Sequence, residues 1–417
     1  MIQIACKKVR YYLVPNTESS ANELILLPVL RAQKAASGGL IVTQKYLNGA
    51  AEYAKSWPGP VTSLFEVSPL PSTDLDHVEV ADDIGGHVIE IRPNDLKVLA
   101  RRLQSASVVV GFLSPFEVGT TEICNRIGVP VVHVAEYTLR TEWQIIDSSG
   151  ANPIVKLRRK LWAWKAERLR QYLIGISAGL QCNGVPTYRA YREICPDAFL
   201  FFDNRVKNSD IITSEKLARK TLEVQVGRPL RLVFGGRFVP MKGVLQLPRV
   251  ARHLSQAGVP FELAIYGAGP EESKLRSAIS RYGLEDQISI FPPVDFDQGW
   301  VPFLKQSADL FVCCHMQGDP SSTYSETMAC GVPIAGYDNE AFKGIVEISG
   351  AGFLAPMGDS KKLASVIADL HRNRDRLVRA AQIGVSFSKQ HCFESTFSRR
   401  VDHFKNLSRH PRKNDFV

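Results

Sequence analysis

The feature that most constrains this chain is a unit repeated from about residue 229 onward: an apolar run, a turn containing glycine, then a helical pattern. LRLVFGG (230–236) is an apolar run ending in two glycines, and VLQLPRVARHLSQAG (244–258) reads as a helix closed by Gly258. PFELAIYGAGP (260–270) repeats the scheme, with a helix expected from Glu271 to Tyr282 and stopped by Gly283. QISIFPP, ADLFVCCH and GVPIAGY supply three further strands. Near-continuous apolar strands alternating with helices fit a parallel sheet covered on both sides. This half, 229–387, is therefore expected to be α/β and Rossmann-like.

The first half, 1–206, carries the same signal less clearly. ANELILLPVL (21–30), ASVVVGFLS (106–114) and VPVVHVA (129–135) read as buried strands. GGLIVTQKYLNGAAEYAKSW (38–57) reads as a helix after a diglycine, and a further helix is expected within 84–106. A second Rossmann-like domain follows, with a C-terminal helix at 388–410 expected to pack back on it. The polar stretch 204–228 between the two apolar units is read as the hinge. Two domains suit 417 residues, and 45% hydrophobic with 22% charged residues is the composition of a globular chain with a sizeable core.

Other bulk features exclude more than they assign. The N-terminus, MIQIACKKVRYYLVPNT, lacks the uninterrupted apolar run of a signal peptide, and no segment has the ~20 consecutive apolar residues that span a bilayer. A cytoplasmic protein is expected. The eight cysteines, among them Cys6, are scattered along the chain without Cys-x2-Cys spacing, so they read as reduced core residues and no metal is expected. A net charge of +9 favours an acidic partner: a nucleotide, an anionic surface or nucleic acid.

Ligands of open parallel sheets bind beyond the carboxyl ends of the strands, where glycines admit a close approach and helix N-termini attract anions. Gly235-Gly236-Arg237, followed by Lys242, places two cations there, suited to a diphosphate; alternatively they are solvated surface residues. Gly267 and Gly269 form a second turn on the same edge, although turns of this kind also serve packing. In GDPSSTYSETMACGVPIAGYDNEA (318–341), Ser321, Ser322 and Thr323 can cap a short helix ended by Gly331 and Pro333. Glu326 then lies in its first turns, where a carboxylate could hold both ribose hydroxyls or merely complement the helix dipole.

These segments, in this order, resemble the retaining GT-B glycosyltransferases of family 4, the group 1 glycosyltransferases, over roughly 229–385. GGRFVPMKG is similar to the family's Arg/Lys loop, YGAGPEESKL to its Gly-x-Gly-Pro turn and SETMACGVPIAGY to its Glu-containing segment. The resemblance implies two Rossmann-like domains facing a central cleft, with Arg237 and Lys242 gripping the donor diphosphate and Glu326 the ribose. It also implies a glutamate near the sugar eight positions before Glu326; Gly318 stands there, with Asp319 beside it as the substitute candidate. In the first half, Gly38 and Gly39 resemble the glycine loop that faces donor and acceptor. Glu136 falls where relatives carry a histidine facing the reacting sugar, and His133 is either a cleft residue or a core one. Asn204 and Arg205 are cleft candidates by position.

The implied activity is transfer of a hexose from a UDP or GDP sugar to a glycan acceptor in bacterial polysaccharide assembly, with retention and without metal or cofactor. Arg237, Lys242, Asp319 and Glu136 are the candidates for the chemistry. KLRRKLWAWKAERLRQYL (156–173) holds seven Lys or Arg against one Glu; its apolar positions Trp162, Ala166, Leu169 and Leu173 follow helical spacing. It reads either as a core stripe with a wet basic face or as a peripheral contact with an anionic membrane, suited to a polyprenyl-diphosphate-linked acceptor. Two other readings stand: a nucleic-acid or anionic-surface binder on the same platform, though no nucleic-acid motif is present, and an epimerase or phosphorylase of the same fold.

Overall fold

The computed structural model describes residues 22–409 apart from 36–37, 69–76, 81–82 and 85–86. The N-terminal segment with Cys6, the serine preceding Gly38, and residue 410 of the expected C-terminal helix lie outside the described residues.

The first sheet runs Ala198–Phe201, Gly179–Asn183, Val131–Ala135, Ala106–Phe112, Glu23–Leu27, Val61–Phe65, His87–Ile91 and Asp83–Ile84 from edge to edge. All its pairings are parallel except the last. Every residue of Glu23–Leu27 is buried, and the two-residue period sends alternate side chains to opposite faces. Leu24 and Leu26 join Trp57, Phe397, Val401 and Phe404 on one side, while Ile25 and Leu27 join Leu99, Leu103 and Cys124 on the other. The second sheet, Ile288–Phe291, Phe261–Tyr266, Leu230–Gly235, Leu310–Cys313, Ile334–Tyr337 and Phe353–Ala355, is parallel throughout. Its last strand has three residues, too short to stand out in the sequence.

Three sequence expectations need correction. Residues 38–57 are not one helix: Leu40–Thr43 is a strand paired antiparallel with Gln33–Lys34 and His77–Val80, and the helix is Gln44–Ser56. The β-branched Ile41, Val42 and Thr43 favour the strand, and Thr43 then caps the helix by accepting from the Tyr46 amide.

Nor is the stretch 204–228 a linker. Ser214–Gln225 is a helix whose Val224 enters the second core, and the buried Lys220 ammonium donates to the Leu304 and Cys330 carbonyls at 2.6 and 3.2 Å. Burial lowers its pKa to about 7. A polar-looking sequence hid an amphipathic helix. The chain instead crosses between the units at 202–206 and returns at 391–393. There the Phe393 amide donates to the Val206 carbonyl at 2.7 Å, and the Asn204 side chain donates to the His391 carbonyl at 2.8 Å. The helix Phe393–Arg409 then lies on the first sheet through Phe397, Val401, Phe404 and Leu407.

The third correction concerns the basic stretch, which belongs to the helix Pro153–Ile176. Its core face is Ala163, Ala166, Arg170, Leu173 and Ile174, whereas Trp162 and Leu169 are exposed. The stripe read from spacing is thus split between core and surface. Among the described residues no helix is long and apolar enough to cross a membrane.

Candidate functional site

The carboxyl edge of the second sheet carries two interlocked loops. Gly267 has φ +148°, and a Cβ there would lie 2.0 Å from the Gly236 carbonyl oxygen; one at Gly269 would strike the backbone of Phe238. Phe238 N donates to the Ala268 carbonyl at 2.8 Å, closing the contact. Gly267 and Gly269 therefore serve loop packing, one of the two roles the sequence leaves open to them. What they achieve is to hold Gly236 and Arg237 in place, and both of these are exposed at the edge.

Lys242 ends a short helical turn, Pro240–Lys242, and its ammonium reaches Asp319 Oδ2 at 3.1 Å and Ser321 Oγ at 3.5 Å. Ser321 in turn donates to Thr323 Oγ1 at 3.1 Å. Gln317 orients Asp319 by accepting from its amide and donating to its Oδ2. The helix that follows, Thr323–Ala329, has Ser322 at its N-cap with no side-chain capping bond, since Ser322 is itself in a helical conformation. The capping role expected of its side chain is not taken up.

Glu326 is buried, with its carboxylate 3.4 Å from Nε of Arg205. The Arg205 guanidinium lies over the Phe296 ring, 4.2 Å from its centroid. Arg205 is thus placed beside the expected ribose carboxylate. Its neighbour Asn204 is not in the cleft: it is buried at the crossover, donating to the Phe202 and His391 carbonyls and accepting from the Val206 amide. That is a correction imposed by the backbone, whose polar groups must be paired where two segments cross.

On the opposite wall, the strand ends of the first sheet open into a cavity of about 270 Å³. Its polar lining is Thr43, Lys45, Glu136, Asn183, Asp203 and Arg400; Tyr46, Tyr53, Phe112, Phe201 and Phe397 supply rings. Lys45 Nζ bonds Asp203 Oδ2 at 2.9 Å, and Asn183 accepts from the Asp203 amide. Arg400, from the C-terminal helix, stacks 4.1 Å from the Phe201 centroid and donates to Gln181. Burial, with the carboxylates of Asp203 and Asp319, pushes the Glu136 carboxyl up to about 7 against the pull of Lys45 and Arg400. Tyr137 next to it feels both Asp319 and Arg237, so the two walls sit within electrostatic reach of one another.

His133 does not face this cavity. It is buried, bonded through Nε2 to Thr121 Oγ1 at 3.0 Å, and burial lowers its pKa to about 4. Its position inside the strand Val131–Ala135 sends it to the face opposite the cleft side of the sheet edge. Gly38 and Gly39 lie in the turn between the strands Gln33–Lys34 and Leu40–Thr43, with the Ala35 amide donating to the Gly39 carbonyl, and neither lines the cavity.

Several site residues had no sequence signal. Lys45, Asn183, Asp203 and Arg400 come from four separate parts of the chain. Arg140, Gln144 and Glu340 meet only where the walls touch, through bonds from Arg140 Nε at 2.5 Å and Gln144 Nε2 at 3.1 Å to the Glu340 carboxylate. Among the described residues no group of three or more His, Cys, Asp or Glu side chains converges to hold a metal ion.

Comparison with known proteins places this geometry. Residues 219–385 match the family model described as glycosyl transferases group 1. A putative colanic acid biosynthesis glycosyltransferase, WcaL of Salmonella typhimurium, is 30% identical over 154 residues, 35% of this chain and 37% of that protein. The amylovoran biosynthesis glycosyltransferase AmsK of Erwinia amylovora is 29% identical over 160 residues, 36% of this chain and 38% of its own. The matched part thus spans little more than a third of these relatives. The crystal structure of Anabaena HepE in complex with UDP superposes with a TM-score of 0.63 at 14% identity, over 93% of this chain and all of the other. The chain has the GT-B fold, and its residues 219–385 carry the sequence pattern of the group 1 glycosyl transferases.

Proposed function

We propose that this chain is a glycosyltransferase that moves a hexose from a nucleoside diphosphate sugar, of UDP or GDP type, to a hydroxyl of a glycan acceptor, with retention at the anomeric carbon. The observation that carries the reading is the convergence of Lys242, Asp319 and Ser321 on the sheet edge that also bears exposed Arg237, with buried Glu326 in the helix that follows, within the segment matching group 1 glycosyl transferases. As the glycosidic bond breaks, negative charge grows on the diphosphate; Arg237 and Lys242 are the groups to stabilise it. Glu326 would accept from the ribose hydroxyls once Arg205 gives way. No metal or cofactor takes part in the proposed step. The acceptor would enter the cavity lined by Glu136, Lys45 and Asp203, where aromatic rings can lie against a sugar face.

The relatives named in colanic acid and amylovoran biosynthesis support a role in bacterial polysaccharide assembly. An acceptor carried on a polyprenyl diphosphate would suit the helix Pro153–Ile176, whose exposed Leu157, Leu161, Trp162 and Trp164 stand among exposed Arg158, Arg159 and Lys165. Such a face can rest on an anionic leaflet, at the cytoplasmic side of the membrane. The test is a thermal-shift screen of UDP, GDP, ADP and their hexose conjugates, followed by product analysis with and without a glycan acceptor. A rise in melting temperature with one nucleotide series and acceptor-dependent release of that nucleotide are expected. Binding to none of them would refute the proposal, and retention on DNA with a steep salt dependence would replace it with the nucleic-acid reading.

A further inference from the structure

Gly318 leaves a gap in the loop that presents Asp319 and Ser321 to Lys242, and the gap is filled from elsewhere. A Cβ at 318 would lie 2.7 Å from Glu340 Oε2 and 3.3 Å from Glu340 Cβ. The Glu340 carboxylate therefore stands where a side chain at 318 would have to grow. It is not spent on its own helix, Glu340–Ser349, because Asn339 already caps that helix by accepting from the Phe342 amide at 3.0 Å.

The carboxylate is oriented across the cleft. Gln144 donates to its two oxygens at 3.3 and 3.1 Å and, with its own oxygen, accepts from the Gly318 amide at 2.8 Å. Arg140 Nε donates to Oε1 at 2.5 Å. One amide side chain thus fixes both the glycine backbone and the carboxylate. An ionised carboxylate offers about four acceptor positions. The donors above take two on Oε1 and one on Oε2, which leaves a lone pair on the oxygen that overhangs Gly318. The side chain is 29% exposed, so this acceptor can be reached.

We propose that Glu340 is a specificity-determining residue that accepts a hydrogen bond from one hydroxyl of the donor hexose, in the space that Gly318 vacates. This rests on the glycosyl-transfer reading above. A sugar hydroxyl bonded to a carboxylate is discriminated against analogues that lack it or point it elsewhere, because the bound sugar then covers the acceptor and leaves it unpaired.

The test measures affinities of UDP, GDP, UDP-glucose and GDP-mannose by calorimetry for the wild type, Glu340→Gln, Glu340→Gly, Arg140→Ala and the double variant Gly318→Glu/Glu340→Gly. Glu340→Gln is expected to weaken the preferred sugar conjugate about 10-fold while leaving the bare nucleotide unchanged. The double variant is expected to recover most of what Glu340→Gly loses, since the new carboxylate grows from the vacated side. A conjugate-to-nucleotide ratio unaltered by Glu340→Gln overturns the assignment. So does an equal loss in Arg140→Ala, which would make the carboxylate only a tie between the walls. Failure of the wild type to bind any of the four probes overturns the transfer reading and this inference with it.

Discussion

Glu136 offers the sharpest measurement of the cleft's electrostatics. Its carboxyl sits at about 7 in the folded chain against a reference of 4.5, held up by burial and by Asp203 and Asp319, and only partly relieved by Lys45 and Arg400. A raised carboxyl pKa means that the folded state binds the proton more tightly than the unfolded one. Its contribution to stability is therefore complete below pH 4.5 and is lost as pH rises through 7. At ~1.36 kcal/mol per pKa unit the whole window is worth ~3 kcal/mol, of which ~2.5 kcal/mol falls between pH 5 and pH 8. Glu136→Gln keeps the shape and removes the titration. Urea unfolding of both proteins, followed by tryptophan fluorescence across that range, should show the variant gaining ~2.5 kcal/mol on the wild type as pH rises. A stability difference that stays constant within about 0.5 kcal/mol from pH 5 to pH 8 would refute the cause assigned to Glu136.

Lys242→Ala should depress turnover at saturating donor by roughly 100-fold, the scale of a lost transition-state charge partner, and steady-state kinetics with unchanged kcat would remove it from the chemistry. Glu326→Ala should weaken nucleoside diphosphate binding by about 10- to 100-fold, through loss of a charge-assisted acceptor; equal affinity in a titration would sink the ribose assignment. Gly267→Ala should cost about 2 to 4 kcal/mol in urea unfolding, because its φ of +148° disfavours a side chain and the new Cβ would meet the Gly236 carbonyl at 2.0 Å. A midpoint like that of the wild type would show that the two loops can part freely. Reversing Arg158, Arg159 and Lys165 to Glu should lower co-sedimentation with phosphatidylglycerol vesicles about 100-fold, at about 1 kcal/mol per cation removed; undiminished binding would dismiss the membrane face.

Much of the second sheet was legible because its strands are rich in apolar residues, with Leu310–Cys313 and Ile334–Tyr337 buried throughout, and such runs between glycine turns have few other solutions. The place of Arg237 and Lys242 was legible for a related reason: both follow the strand Leu230–Gly235, at the carboxyl edge of the parallel sheet. The helix Ser214–Gln225 was misread because its apolar positions are few, and only the packing of Val224 and the carbonyl contacts of Lys220 reveal its buried face. Gly267 and Gly269 looked like a ligand turn, yet the same backbone freedom was needed to seat one loop on another.

By itself, then, the sequence determined the alternation of strands and helices and the chemical character of the second sheet's edge, both of which follow from local periodicity and backbone freedom. Tertiary structure alone decided the opposite wall. Arg400 is brought beside Phe201 by a helix that returns across the molecule, Asp203 meets Lys45 across 158 positions, and Glu340 fills the space over Gly318. Such contacts depend on how two sheets are set against each other, and that arrangement is encoded in the packing of whole faces rather than in any short stretch of residues.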